Sequence, residues 1–200
     1  SGDFNNQNGW VNEGSGNQKM FISGSPFQGN NSLYYGVIET GGSVTYSKAI
    51  DINGDGIFSF RLKANSTQGP QGSWSNIASL RFFSKDNPDV NNWIFGMVPS
   101  GFGSDPSNSC YQQTALVNSH GGYICSSGVW VNAWYNFQIE FSQTNGIRVR
   151  VDENEWSEWQ KGENWGEFAG GLGKISISVT GGSYRENKYY FDNFQFLPTI

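Results

Sequence analysis

Apolar and polar residues alternate along most of this chain with a period of two, the signature of strands that bury one face and wet the other. In GIFSFRLKA (56–64), Phe58, Phe60 and Leu62 alternate with Ser59, Arg61 and Lys63. NIASLRFF (76–83) sets Ala78, Leu80 and Phe82 against Ser79, Arg81 and Phe83. NWIFGMV (92–98) and YQQTALV (111–117) follow. WYNFQIEF (134–141), SQTNG and IRVRVD (147–152) predict a hairpin with Tyr135, Phe137, Ile139 and Phe141 on the core side. On its outer side Gln138 and Glu140 face Arg148 and Arg150. KISISVT (174–180) and KYYFDNFQFL (188–197) complete the run. No stretch of ten residues holds a helical period, and Gly and Asn-Gly separate the strands throughout. The pattern predicts an all-β fold of roughly ten antiparallel strands in two packed sheets, a sandwich or jelly roll. Neither a repeat nor a linker divides residues 1–200, which read as a single domain.

The last strand poses a problem. Strict alternation places Tyr190, Asp192, Phe194 and Phe196 on one face, so a carboxylate shares the side of two core phenylalanines. An apolar interior expels an ionised carboxylate unless a partner or a metal compensates it.

Composition agrees with a turn-rich β protein: 14% of residues are charged, 16% are aromatic and 27 are glycine. No run approaches eighteen apolar residues, so no membrane-spanning helix is expected. The opening SGDFNNQNGW has neither a basic start nor an apolar run and does not read as a signal peptide. A net charge of −5 and only 12 scattered Lys and Arg argue against a nucleic-acid partner. Cys110 and Cys125 have no zinc-type spacing. In a Ser/Asn/Gly-rich chain they read as one disulfide of a secreted or cell-surface protein, the alternative being two unrelated thiols.

DFNNQNGW (3–10), AIDINGDGIFSFRLKA (49–64), the 134–152 hairpin and YYFDNFQF together resemble the concanavalin A-like and carbohydrate-binding-module jelly rolls. That resemblance implies a structural calcium ion, held by an acidic or amide residue near the first strand and the Asp of the last. Here these are Asp3 or Asn5, and Asp192. It also implies that the first and last strands lie side by side.

Several motifs admit two readings. Asp51-Ile-Asn53-Gly-Asp55-Gly56 looks like half an EF-hand loop, but Leu62 stands where the bidentate Glu is required, so a hairpin turn is expected. Glu153, Glu155 and Glu158 are similar to the paired carboxylates of laminarinase-type glycosidases. The middle residue departs from that pattern, and the stretch reads as the turn after IRVRV. His120, with Gln113 and Tyr123, is the corresponding candidate for a polysaccharide lyase, although the spacing differs and a surface loop is the plainer reading.

Eight tryptophans exceed what one core accommodates. Trp74, Trp93 and Trp130 stand among Asn, Ser and Gly, where an exposed indole stacks on a sugar and polar neighbours, Arg81 among them, bind hydroxyls. The expectation is a secreted, non-catalytic carbohydrate-binding module or lectin, part of a larger protein, with a polysaccharide as partner. The alternatives are a hydrolase or lyase on the same fold, and a laminin G-like adhesion domain.

Overall fold

The computed structural model describes residues 9–14, 21–23, 32–36, 43–64, 78–98, 114–117, 123–126, 133–161, 165–180 and 188–198. Among these lie thirteen strands: β1 (Trp10–Asn12), β2 (Phe21–Ser23), β3 (Ser32–Gly36), β4 (Ser43–Ile52), β5 (Gly56–Ala64), β6 (Ala78–Ser84), β7 (Asn91–Val98), β8 (Thr114–Val117), β9 (Tyr123–Ser126), β10 (Trp134–Ser142), β11 (Gly146–Val151), β12 (Leu172–Thr180) and β13 (Lys188–Pro198). One 3-10 turn, Trp165–Phe168, is added. The strands form two antiparallel sheets. A seven-stranded sheet runs β1-β4-β12-β6-β7-β8-β9, and a six-stranded sheet runs β11-β10-β5-β13-β3-β2. This is the sandwich that the alternation predicts. β1, β2, β3 and β9 are too short, at three to five residues, for a period of two to announce them.

The core fills the space between the sheets. Phe58, Phe60 and Leu62 of β5 meet Phe137, Ile139 and Phe141 of β10 on one side, and Leu80, Phe82, Ile175, Ile177 and Tyr46 on the other. Phe58 and Phe82 join the layers edge to face, with centroids 5.5 Å apart. Trp165 and Phe168 close one end of the core, stacked at 5.0 Å. The Trp165 indole N–H donates to the carbonyls of Ser142 and Gln143, at 3.0 and 3.1 Å. A buried indole thus keeps its hydrogen bond while its ring fills the core.

The β10–β11 hairpin follows the sequence closely. Phe137, Ile139 and Phe141 oppose Val151, Val149 and Ile147. Outside, Arg148 pairs with Glu140 at 2.6 Å, and Arg150 donates to Gln138. Beyond β11 the chain folds back along the sheet edge. Ser157 N–H donates to Val149 O, and Ile147 and Gln160 exchange backbone bonds at 2.8 and 2.9 Å. Arg148 lies 5.0 Å from the Trp156 ring and 4.6 Å from that of Trp159, and Arg150 lies 4.6 Å from Trp156. These contacts fasten the return segment to the sheet.

The last strand corrects the expectation. β13 pairs with β5 in regular register up to Asp192↔Arg61 and resumes at Gln195↔Ser59. Asn193 and Phe194 therefore stand against Phe60 alone, which is a β-bulge. Asn193 takes a left-handed conformation, φ 53°. One extra residue inverts the parity of everything after it. Phe191 and Phe194 both turn to the core, 6.3 Å apart and stacked, whereas Asp192 faces outward. The carboxylate is half-buried and accepts the Asn193 N–H at 2.7 Å. Asp192 does not share a face with Phe194 and Phe196, and no charge is driven into the core.

A second correction concerns the ends of the fold. β1 belongs to the seven-stranded sheet and β13 to the six-stranded one. Trp10 and Phe194 meet across the core, with ring centroids 5.6 Å apart, so these strands face one another instead of lying side by side.

Candidate functional site

The outer face of the seven-stranded sheet is built on β4, β12 and β6. Their inward positions are apolar, so alternation sends small hydroxyls and a few charged groups outward. Two neighbouring rows result. In one, Thr45, Ser178 and Ser79 are register partners, and the Thr45 and Ser178 hydroxyls lie 2.8 Å apart. In the other, Ser47, Ser176 and Arg81 are partners. Ser47, Ser79 and Ser176 are buried, and Arg81 is exposed beside them.

At the β1 end, Glu13 accepts the Ser47 hydroxyl at 2.6 Å and the Lys174 ammonium at 3.3 Å. The same ammonium lies 3.9 Å from the centre of the Phe83 ring. At the β7 end, a shift in register between Leu80 and Arg81 makes Trp93 the partner of Arg81. Arg81 and Trp93, both chosen from sequence, are brought together by that pairing. A guanidinium and hydroxyls on one surface present donors in the geometry that vicinal sugar hydroxyls accept.

The other sequence candidates are dispersed. Trp74, Trp130, His120, Gln113, Cys110, Asp3 and Asn5 lie outside the described residues, while Tyr123 and Cys125 fall on β9. Glu153, Glu155 and Glu158 are exposed on the return segment beyond β11, not on a ladder strand. The neighbouring Asp152 accepts the Asn136 N–H at 2.8 Å and stands 3.8 Å from the Arg61 guanidinium.

The Asp51–Gly56 stretch is a hairpin turn between β4 and β5, as its Asn-Gly and Asp-Gly pairs suggest, with Gly54 at φ 106°. Its would-be calcium oxygens are used by the protein. The Lys85 ammonium bonds both Asp51 and Asn53, and Asp55 accepts Ser142 Oγ and Gln143 N–H, each at 2.8 Å.

Calcium takes six to eight oxygens. Asp192 brings one half-buried carboxylate, one oxygen of which accepts the Asn193 N–H, and it stands opposite Arg61; its expected partners Asp3 and Asn5 lie outside the described residues. Among the described residues, no three His, Cys, Asp or Glu gather as metal ligands. None of their helices is long and apolar enough to cross a membrane.

Sequence reasoning missed the outer face of the six-stranded sheet. Trp134 of β10 and Tyr190 of β13 flank Lys63 of β5, whose ammonium lies 5.2 and 4.5 Å from their ring centres. All three are half-buried, and the two rings meet edge to face at 6.4 Å. The available signal was the parity of Lys63 and Trp134, both opposite in phase to the core residues of their strands.

No protein-family model matches the chain, and no curated protein matches it in sequence. Solved structures do match in fold. A sialidase superposes with a TM-score of 0.61 at 13% identity, covering 99% of this chain. The chain spans only 18% of the length of that sialidase. The cellulose induced protein Cip1 gives 0.61 at 11% identity, over 98% of this chain and 96% of its own. The metal-free form of lectin I-B4 from Griffonia simplicifolia gives 0.57 at 8% identity, over 99% and 97%. The fold of this chain is the lectin-like jelly roll.

Proposed function

We propose that the chain is a secreted, non-catalytic carbohydrate-binding module or lectin that holds a polysaccharide on the outer face of its seven-stranded sheet. The observation that carries this reading is the exposed Arg81, set beside a floor of serine hydroxyls and in register with Trp93. A guanidinium gives fixed, forked donors, and small hydroxyls leave room for a sugar ring to approach. The fold likeness to a lectin and to a protein with a cellulose-related name supports the ligand class by analogy.

The test is retention on a polysaccharide panel, with reducing-end and unsaturated-product release measured in parallel. Retention without release is expected. Arg81→Ala should weaken binding about ten- to a hundredfold, the equivalent of a charge-assisted hydrogen bond. Release of sugar would overturn the non-catalytic reading, and absence of any retention would overturn the ligand class.

The calcium implied by the family resemblance has its own test. With Asp192 as a ligand, Asp192→Ala should abolish any calcium-dependent rise in melting temperature. A rise that persists in the variant would remove Asp192 as a ligand.

A further inference from the structure

We propose that the outer face of the six-stranded sheet is a second glycan platform, for an extended, uncharged polysaccharide lying across the strands. It shares only its ligand class with the site on the opposite sheet. One row of register partners crosses five strands: Trp134 on β10, Lys63 on β5, Tyr190 on β13, Tyr34 on β3 and Phe21 on β2. Four inter-strand steps make this row about 19 Å long. Four of its five positions hold aromatic residues, and the same face carries polar Asn136, Arg61 and Asp192 beside them, with apolar Ile57 and Leu197 at its far end. Trp134 and Tyr190 keep part of their surface in water while Lys63 stands between them.

The next row supplies polar partners. Asn136, Arg61 and Asp192 are register partners one pleat away, on the same three strands. Sugar rings stacked along the aromatic row would turn their hydroxyl edges towards this amide, guanidinium and carboxylate. Aromatic faces gain from covering apolar C–H surface, and amides and carboxylates then select hydroxyl orientation.

The charge pattern identifies the ligand as uncharged. Arg61 lies 3.8 Å from Asp152 and opposite Asp192, and Arg148 is paired with Glu140. Arg150 donates to Gln138, and the Lys63 ammonium lies against the Trp134 and Tyr190 rings, so each of these cations is engaged within the protein, and the chain as a whole carries −5. A polyanion gains little from such a surface and would meet the charge of the whole chain, whereas a neutral polysaccharide brings no charge of its own to desolvate.

The experiment uses the intact chain with insoluble cellulose, soluble xylan, a soluble β-1,3-glucan and, as the charged control, alginate. Trp134→Ala and Tyr190→Ala should each lower retention on at least one neutral polysaccharide tenfold or more. Arg81→Ala should leave this component in place, and alginate should not compete with it. Since truncating Trp134 also loosens packing, oxidative footprinting of the wild-type protein gives an independent readout. Saturating neutral polysaccharide should slow Trp134 oxidation at least threefold. Unchanged oxidation of Trp134, or wild-type retention by both variants, overturns the proposal. If retention then depends on Arg81 alone, the reading of the seven-stranded face survives; if no polysaccharide is retained at all, both fail.

Discussion

Asn193 is the residue on which the facing of the last strand depends, and substitutions there should follow an unusual order. Its φ of 53° lies where a side chain with a Cβ ordinarily costs about 1–2 kcal/mol, a cost that glycine escapes and asparagine tolerates. Asn193→Gly should therefore change stability by less than about 0.5 kcal/mol. Asn193→Ala should lose about 1 kcal/mol, and Asn193→Val about 2 or more, since a β-branched residue is a poor occupant of that region.

Deleting Asn193 tests the same reasoning from the other side. Without the extra residue, regular pairing onward from Asp192↔Arg61 sets Phe194 opposite Phe60 and leaves Phe196 opposite Phe58, so both rings keep the core face. Phe194 now has ring neighbours at 5.6 Å (Trp10), 5.8 Å (Phe60) and 6.1 Å (Phe58). A reversed parity would instead remove two packed phenylalanines at about 3–5 kcal/mol each, about 6–10 kcal/mol together. That is on the order of the whole stability of a domain, about 5–15 kcal/mol. The deletion variant should therefore keep a cooperative transition in urea and heat, followed by tryptophan fluorescence, and lose no more than about 3 kcal/mol. For the point variants, each 1 kcal/mol should lower Tm by about 2–4 °C. A deletion variant without a cooperative transition would refute the reasoning, as would a valine variant as stable as the glycine one.

Three further outcomes are expected. Trp165→Phe keeps a ring beside Phe168 but loses the bonds to Ser142 and Gln143, and should cost about 1–3 kcal/mol in urea unfolding. Trp165→Ala should cost about 3–5 kcal/mol, and equal costs for the two would show the indole N–H to be irrelevant. Arg148→Met should destabilise by about 1–2 kcal/mol through the lost contacts with Glu140, Trp156 and Trp159. It should also speed proteolysis within residues 152–161, and unaltered cleavage there would show that the return segment is held by other means. Finally, a Cys110–Cys125 bridge means no reactive thiol in the unfolded, unreduced protein; mass-shift labelling of two thiols would refute the pairing.

The sandwich was legible because β5, β10 and β11 alternate without interruption. The β10–β11 hairpin was readable down to Glu140 opposite Arg148, since a short loop joins its strands and fixes their register. β13 was misread because an alternation count has no term for a bulge, and nothing in DNF marks Asn193 as the extra residue. The use of Lys85 by Asp51 and Asn53 was equally hidden, as it joins residues more than thirty positions apart. Within the site, Arg81 and Trp93 could be proposed one by one from their polar surroundings, but their pairing depends on a register shift between β6 and β7. The row of Trp134, Lys63 and Tyr190 needs knowledge that β5 lies between β10 and β13, and only the tertiary topology supplies it.

That placement of β5 has a consequence for biosynthesis. β5 carries Phe58, Phe60 and Leu62, yet its two neighbours are β10 and β13, made some 70 and more than 120 residues later. At about 5–20 residues per second, the ribosome leaves β5 without its second partner for roughly 6–25 seconds. Throughout that interval an aromatic strand has an open hydrogen-bonding edge, a template on which other nascent chains can pair. The six-stranded sheet closes only when β13 is threaded against β5, so completion of this sheet waits for the last strand of the sandwich.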